Sequence, residues 1–297
     1  MMRSARLLLL ASFTAIPGGC SSTDTVPRES KAADARGTSR AVREAAATTY
    51  LGADLNAYPG DDALPVLRKS FSFLGYWLST TTEMKQNPWP GKRELLRSQG
   101  FGFALLYLGP LTGALKSPTQ ARQRGINDAK RASVAAAKEG FASRSIIFLD
   151  IEEGGRLPAA YHEYLRAWAN QLAGAGYRAG VYCSGMPVDE GGGVTIRTAD
   201  DIRNNLGLRD MSYWVFNDAC PPSPGCAISQ NPLSPSASGV SYATIWQISR
   251  SPRFKEFTAR CADTYQSDGN CYSPGDTARK WLLDLDTANS PDPSSGK

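Results

Sequence analysis

The chain has 297 residues, of which 41% are hydrophobic, and this is enough to bury the core of one α/β domain of about 250 residues with tails to spare. The formal net charge is only +5, and lysines and arginines are spread along the chain without a dense basic run. This pattern argues against nucleic acid as a partner.

The N-terminus has the pattern of an export signal. Arg3 and Arg6 precede an apolar stretch at residues 7–16, and small residues lead to Cys20. The apolar stretch is shorter than the roughly 20 residues that a membrane-spanning helix needs, so a retained transmembrane anchor fits less well. Residues 1–20 therefore predict a signal peptide. The segment around Cys20 resembles a lipobox, which predicts lipidation of Cys20; ordinary cleavage nearby is the alternative.

Two terminal segments lack the large apolar residues that a packed core requires. Residues 21–49 are rich in Ser, Thr, Ala and charge, and we expect a disordered tether. Residues 288–297 contain prolines and a Ser-Ser-Gly run, and we expect a flexible tail. The folded domain is therefore predicted at residues 50–287.

Short apolar runs alternate with helical patterns through this domain, as in parallel strands that are covered on both faces. Eight candidate strands are predicted at residues 51–57, 72–78, 101–108, 145–151, 178–184, 211–217, 243–249 and 281–286. The clearest helices are predicted at residues 119–139 and 158–175, each followed by glycine. This order predicts a (β/α)8 TIM-like barrel with irregular final crossovers. An open doubly wound sheet is the alternative, although no Gly-rich phosphate loop follows the first strand.

The cysteines suit an oxidising compartment. Cys220 with Cys226, and Cys261 with Cys271, would each close a short polar loop as a disulfide. Cys183 lies within an apolar run and is predicted to be a buried thiol. These spacings do not match a four-cysteine zinc site, and we expect neither a metal nor an organic cofactor.

The sharpest candidate site follows the fourth strand. Strand alternation places Asp150 and Glu152 on one side of the strand, with Leu149 and Ile151 on the other. In a barrel these carboxyls would lie at the C-terminal end, where active sites form. Repulsion between two nearby carboxylates raises the pKa of one of them, which suits a proton donor. The alternative is that acidic residues simply end the strand, and this would serve well for Glu153.

Other strand ends carry aspartates in the same phase. Asp54 follows the start of the first strand, while Asp284 and Asp286 alternate with leucines in the last. The first and last strands become neighbours when a barrel closes, so we expect these side chains to flank Asp150 and Glu152. Each could equally be a loop cap.

Several motifs in chain order resemble a bacterial glycoside-hydrolase-like family catalogued as domain of unknown function 1906. The motifs are residues 61–65 (Asp-Asp-Ala-Leu-Pro), 73–78 (Phe-Leu-Gly-Tyr-Trp-Leu), 98–102 (Ser-Gln-Gly-Phe-Gly), 147–155 (Ile-Phe-Leu-Asp-Ile-Glu-Glu-Gly-Gly), 177–185 (Tyr-Arg-Ala-Gly-Val-Tyr-Cys-Ser-Gly) and 218–222 (Asp-Ala-Cys-Pro-Pro). The resemblance covers about residues 50–287.

That family is similar to the glycoside hydrolase family 25 lysozymes, which cleave peptidoglycan. The likeness lies at residues 52–54, 150–152, 180–182, 246–249 and 284–286. It implies Glu152 as general acid, assisted by Asp150 and Asp54, with Asp284 or Asp286 facing the substrate. It also implies substrate contacts by Tyr182, Trp214, Trp246 and Gln247. Barrel core is the alternative for the aromatic residues.

The sequence therefore favours an exported cell-envelope glycosidase, similar to an N-acetylmuramidase, that acts on peptidoglycan or a related glycan. We expect a monomer that is held at the membrane by a lipid anchor only. The alternative function is a barrel that binds cell-wall glycan without cleaving it.

Overall fold

The computed structural model describes residues 48–81, 84–208, 210–217, 232–249 and 283–297. Eight of the strands form a closed barrel. These barrel strands are β1 (Tyr50–Asp54), β2 (Phe73–Trp77), β3 (Gly102–Leu108), β4 (Ile146–Asp150), β5 (Arg178–Ser184), β8 (Ser212–Phe216), β9 (Ile245–Ser249) and β10 (Asp284–Ala288). A separate hairpin consists of β6 (Val188–Asp189) and β7 (Thr195–Ile196). All eight predicted strand regions overlap barrel strands, so the predicted closed α/β barrel is confirmed.

The direction of the last strand corrects the expectation of a fully parallel barrel. Around the barrel the order is β1-β10-β9-β8-β5-β4-β3-β2. β10 pairs antiparallel with both β1 and β9, whereas the other neighbouring pairs are parallel. A strand's apolar pattern specifies which faces are buried but not the direction in which it enters the sheet, so the sequence did not reveal this reversal.

Helices cover the outside of the barrel unevenly. The α-helices of the described residues are α1 (Leu64–Leu67), α2 (Arg93–Ser98), α3 (Pro118–Lys138), α4 (Ala159–Gly174) and α5 (Thr198–Leu206). The two longest match the two predicted helices closely. α3 begins with proline at its first position and with Ser117 as its cap, whose hydroxyl accepts from the Gln120 amide. Among the described residues, no helix has the length and apolar character that a bilayer crossing requires.

Strand alternation divides the core into an inner and an outer layer. Gly75 faces Asp54 and Gly180 faces Phe148, which identifies these positions as part of the barrel interior. The intervening residues point outwards; Cys183, for example, is fully buried behind the sheet. Cys183 is a free thiol, as predicted, and burial raises its pKa. Polar groups that face the interior therefore need partners within the barrel.

The final residues close the end of the barrel where β3 and β4 begin; we call residues 290–297 the floor. The floor exchanges backbone hydrogen bonds with both strands: the Ser294 amide donates to Phe103 O, and the Ile146 amide donates to Ser294 O. Its side chains also accept from strand amides, Asp292 from Phe103 and Ser294 from Leu105. Composition predicted a flexible tail here. The difference arises because this segment is held through its backbone and through small polar side chains rather than by apolar burial.

Candidate active site

Three aspartates lie at the opposite end of the barrel, which we call the mouth. Asp54 ends β1 and Asp150 ends β4. Because β10 runs in the other direction, its first residue, Asp284, lies in register beside Asp54. The reversed strand thereby brings a further carboxyl to the end where parallel barrels form their active sites.

Glycines on the inner face provide the space for these side chains. A Cβ atom at Gly75 would lie 2.6 Å from the Cβ of Asp54, and one at Gly52 would lie 2.2 Å from the Phe73 ring. Both distances are shorter than any stable contact, so each position requires glycine. Because Gly75 has no side chain, the Asp54 side chain can point into the barrel, where it is only 6% exposed. This role of Gly75 was not apparent from the sequence, since an isolated glycine in a strand gives only a weak signal of close approach.

Two hydrogen bonds form a chain that crosses the barrel to Asp54. The Tyr182 hydroxyl donates to Oε1 of Gln247 at 3.0 Å, and Nε2 of Gln247 donates to Oδ2 of Asp54 at 3.1 Å. Gln247 is buried at 1% exposure. Because both ends of its amide are engaged, Gln247 is fixed with its N–H group towards Asp54. The resemblance implied that Gln247 contacts substrate, whereas here its amide serves other protein groups.

Asp286 lies deeper on the same face of β10 as Asp284. It is fully buried, in register with Gly52 on one side and Gln247 on the other. The Trp214 indole N–H donates to its Oδ1 at 2.9 Å. Burial, and then the charges of Asp54 and Asp284, raise the pKa of Asp286 well above its ordinary value.

Tyr182 marks the centre of the acidic mouth. Burial of its hydroxyl and the negative charges of four aspartates raise the pKa of Tyr182 well above its ordinary value. Those aspartates are Asp54, Asp150, Asp284 and Asp286. The Tyr182 ring remains partly exposed and packs edge-on against Trp214, with the ring centroids 5.3 Å apart. A partly exposed tyrosine therefore stands among the carboxyls.

Asp150 and Glu152, which were predicted to lie on one side of β4, differ in their exposure to solvent. Asp150 is 4% exposed, whereas Glu152 is exposed and lies two residues beyond the end of the strand. Strand alternation therefore does not extend to Glu152, because β4 ends before it. Glu153 accepts from the amide and the hydroxyl of Thr112, at 2.5 and 2.8 Å, and so ties the loop after β3 to this one. The structural role considered for Glu153 matches these contacts.

The other aromatic residues implied in substrate contact lie away from solvent. Trp246 alternates with Gln247 along β9 and so lies on the outer face; it is 2% exposed, and its indole donates to Asn217 O at 2.8 Å. Trp214 points inwards but has no exposed surface. Of the three, Tyr182 alone is partly exposed.

A buried carboxylate outside the mouth supports the loop that carries Glu152. Asp201 accepts from the Leu157 amide at 3.0 Å and contacts Nε2 of His162 at 2.8 Å. Nearby, Thr198 donates to Gly155 O at 2.9 Å. α5 therefore anchors the loop between β4 and α4. His162 packs against this anchor. Asp201 gave no local signal, since these partners are about 40 residues distant in sequence.

Several predicted positions lie outside the described residues. They are the signal and tether residues 1–47, the lipidation candidate Cys20, and the four predicted disulfide cysteines Cys220, Cys226, Cys261 and Cys271. Within the described ranges, no group of three or more His, Cys, Asp or Glu side chains is arranged to hold a metal ion.

Comparisons with known proteins relate this geometry to a family. Residues 68–264 match the family model described as Rv2525c-like, glycoside hydrolase-like domain. No curated protein matches the chain.

Several solved structures are similar to this chain at low sequence identity. An uncharacterised protein from B. stearothermophilus is 17% identical, with 80% of this chain and 95% of that one covered and a TM-score of 0.50. The Mycobacterium tuberculosis Tat-secreted protein Rv2525c is 14% identical, with 82% and 97% covered and a TM-score of 0.47. The Clostridium perfringens spore cortex lytic enzyme SleM is 16% identical, with 82% and 68% covered and a TM-score of 0.45.

Proposed function

The chain belongs to the Rv2525c-like family of glycoside hydrolase-like domains, and we propose that it cleaves glycosidic bonds in peptidoglycan or a related amino-sugar glycan. The observation that carries this proposal is the set of carboxyls around the Tyr182 hydroxyl at the mouth. Glycosidic cleavage needs one carboxyl that donates a proton and another that supports positive charge or attacks the sugar. The substrate class rests on the resemblance to peptidoglycan-cleaving lysozymes.

In the proposed reaction, Glu152 is the general acid. It protonates the oxygen that leaves the sugar, the bond from that oxygen to the anomeric carbon breaks, and water completes hydrolysis. The exposure of Glu152 supports this role because an acid on the rim can reach a polymer that lies across the mouth. The loop contacts through Asp201 and Glu153 limit the range of positions that Glu152 can take.

In the proposed reaction, the aspartates beneath the rim stabilise the positive charge that develops on the sugar. Asp150 and Asp284 are 4% exposed and Asp54 is 6% exposed, so bulk water screens their charges weakly. Fixed negative groups in such a site stabilise an oxocarbenium-like transition state more than the neutral substrate. Tyr182 adds a partly exposed ring against which a sugar can stack.

We further propose that the protein is exported and attached to the membrane through Cys20. The support is the N-terminal pattern of two arginines, an apolar stretch and small residues before a cysteine. Mass spectrometry of the mature N-terminus tests this: diacylated or triacylated Cys20 would support the anchor, and an unmodified terminus beyond Cys20 would contradict it.

The catalytic proposal is tested with Glu152→Gln, which keeps the side chain's shape but removes the proton. Release of reducing ends from purified peptidoglycan should fall by about 100-fold or more, as is typical when a general acid is lost. Folding and retention on insoluble peptidoglycan should persist. Glu163→Gln, the same substitution on the outer helix α4, is the matched control and should leave release within about twofold of the wild type.

Two outcomes would contradict the proposal in different ways. Equal release by the wild type and Glu152→Gln would mean that another group is the acid. Retention on peptidoglycan by both, with no release by either, would favour a glycan-binding barrel without catalysis.

A further inference from the structure

Asp286 is a carboxyl group whose surroundings do not fit an anion. It has no exposed surface, and it faces the barrel interior beneath the mouth. The Trp214 indole donates to Oδ1. Within the described part of the chain, no N–H or O–H group donates to the buried Oδ2. An ionised carboxylate would keep an unsatisfied oxygen in this fully buried site, which costs far more than burying a neutral acid.

The neighbour of Asp286 is another carboxyl. Interaction with Asp54 is among the causes that raise the pKa of Asp286. Asp54 pairs in register with Asp284, two residues along β10, so Asp54 and Asp286 are diagonal neighbours on one face of adjacent strands. Two carboxylates cannot hydrogen-bond to each other, but a carboxylic acid can donate its O–H to a carboxylate. A hydrogen bond between this pair therefore requires one proton.

We propose that Asp286 is a positioning residue that keeps this proton and donates it in a hydrogen bond to Asp54, while Trp214 holds its orientation. Asp54 then receives two donors, the Asp286 hydroxyl and the Gln247 amide, and is held as the carboxylate. Asp284, level with Asp54, is the β10 carboxyl that the mouth offers to substrate. The inference deepens the proposed function by assigning different tasks to the two β10 aspartates.

The charges around the pair favour this protonation state. Asp54 on β1 and Asp284 on β10 face Asp286 directly, and both raise its pKa in addition to burial. Asp150 on β4 adds negative charge to the same mouth, and Tyr182 on β5 stays neutral there. The Trp214 hydrogen bond acts in the opposite direction and lowers the pKa, yet the pKa remains well above the ordinary value.

The matched pair Asp286→Asn and Asp286→Leu tests the assignment. Asparagine resembles a neutral carboxylic acid: its amide can donate to Asp54 while its oxygen accepts from Trp214. We expect Asp286→Asn to fold with a Tm at neutral pH equal to the wild type or about 2–4 °C above it. Leucine removes both hydrogen bonds at similar size, and Asp286→Leu should melt lower than either.

The pH dependence of Tm provides a readout that a merely structural role would not change. The unfolded chain ionises Asp286 near pH 4, whereas the folded protein keeps the proton to a higher pH. Wild-type stability therefore falls as pH rises from about 4 towards the folded pKa, and Asp286→Asn lacks this loss. The Tm difference, variant minus wild type, should increase between about pH 4 and 7. A constant or decreasing difference would overturn the proposal.

Carboxyl titration of the wild type followed by carbon-13 NMR covers the case in which the variants fail to fold. One aspartate carboxyl should remain protonated at a pH at which an ordinary aspartate, with a pKa of about 4, is fully ionised. If every aspartate is ionised at that pH, the proposal fails. Neither measurement uses a glycan, so failure of the glycosidase proposal is distinguishable from failure of this one. If the wild type releases glycan, Asp286→Asn should lose less than about tenfold, and Asp284→Asn about 100-fold.

Discussion

The two ends of the barrel are built from the same strands but are closed by different means. At the mouth, buried carboxyls are held by a few side-chain hydrogen bonds, such as those from Gln247 and Trp214. At the floor, residues 290–297 pair their backbone with β3 and β4, and Ser294 has no exposed surface. Backbone pairing lowers the free energy of the fold, whereas buried like charges raise it. The floor therefore contributes stability, whereas the buried carboxyls of the mouth reduce it.

The antiparallel direction of β10 determines which of its residues lie at the mouth and where the chain that follows forms the floor. The strand enters at the mouth with Asp284, passes the buried Asp286, and leaves at the opposite end with Ala288. The chain that follows is thereby delivered to the starts of β3 and β4, where it forms the floor. In a fully parallel barrel, the last strand would have left the chain at the mouth instead.

The largest expected effect on stability comes from removing the floor. Truncation after Asn289 would remove the hydrogen-bond acceptors of the strand amides of Phe103, Leu105 and Ile146. It should therefore lower the free energy of unfolding by at least about 3 kcal/mol. Chemical denaturation measures the loss. Removal of the exposed Lys297 alone is the control and should cost less than about 1 kcal/mol. A truncated domain with wild-type stability would contradict the role assigned to the floor.

A smaller loss of stability, coupled to loss of function, is expected from Gly75→Ala. The new methyl group would lie 2.6 Å from the Cβ of Asp54 and must displace it. Overpacking of this kind costs about 1–3 kcal/mol. Release of reducing ends should fall together with Tm, because Asp54 moves at the mouth.

Gly174→Ala is the matched control for this change, since nothing lies within 4 Å of its added Cβ at the end of α4. Alanine favours helix over glycine, so this variant should be neutral or slightly more stable. If the two alanine variants behave alike in stability and in glycan release, steric support of Asp54 by Gly75 is not a feature of the site.

The smallest effect on stability is expected from removing a salt bridge at the rim of the mouth. Arg156 forms a salt bridge with Glu190 of the loop between β6 and β7, with Nε 3.0 Å from Oε2, but its side chain is 53% exposed. Exposed ion pairs contribute about 0–1 kcal/mol, so Arg156→Ala should shift Tm by no more than a few degrees. Thermal melts at low and high salt measure this contribution. A large loss that is independent of salt would show that the rim supports the fold as strongly as the floor does.

Local sequence patterns predicted the barrel well. The apolar runs located all eight strands, and the proline and glycine signals bounded α3 and α4. They also singled out Asp54, Asp150 and Asp284, each of which lies at the end of an observed strand, although a loop cap was an equal explanation for Asp54 and Asp284. The buried position of Cys183 likewise followed from its place within an apolar run.

Other features depended on contacts between residues distant in the sequence. The pattern of Trp246 and Gln247 was informative about burial but not about which of them faces the interior, and Trp246 lies on the outer face. The tail appeared loose because its partners are about 190 residues earlier in the chain. Strand alternation did not give the direction of the Glu152 side chain, because β4 ends at Asp150 and no local signal marks that boundary.

The sequence by itself determined the strand content, the closed α/β architecture and the acidic strand ends, because these depend on periodicities of two and 3.6 residues within short segments. The tertiary structure alone decided the direction of β10, the closure of the floor and the different surroundings of Asp284 and Asp286. These two aspartates have the same alternation and nearly the same local sequence. Their difference in depth determines whether each carboxyl faces the mouth or is enclosed by Trp214 and Asp54, since burial and neighbouring charge control protonation.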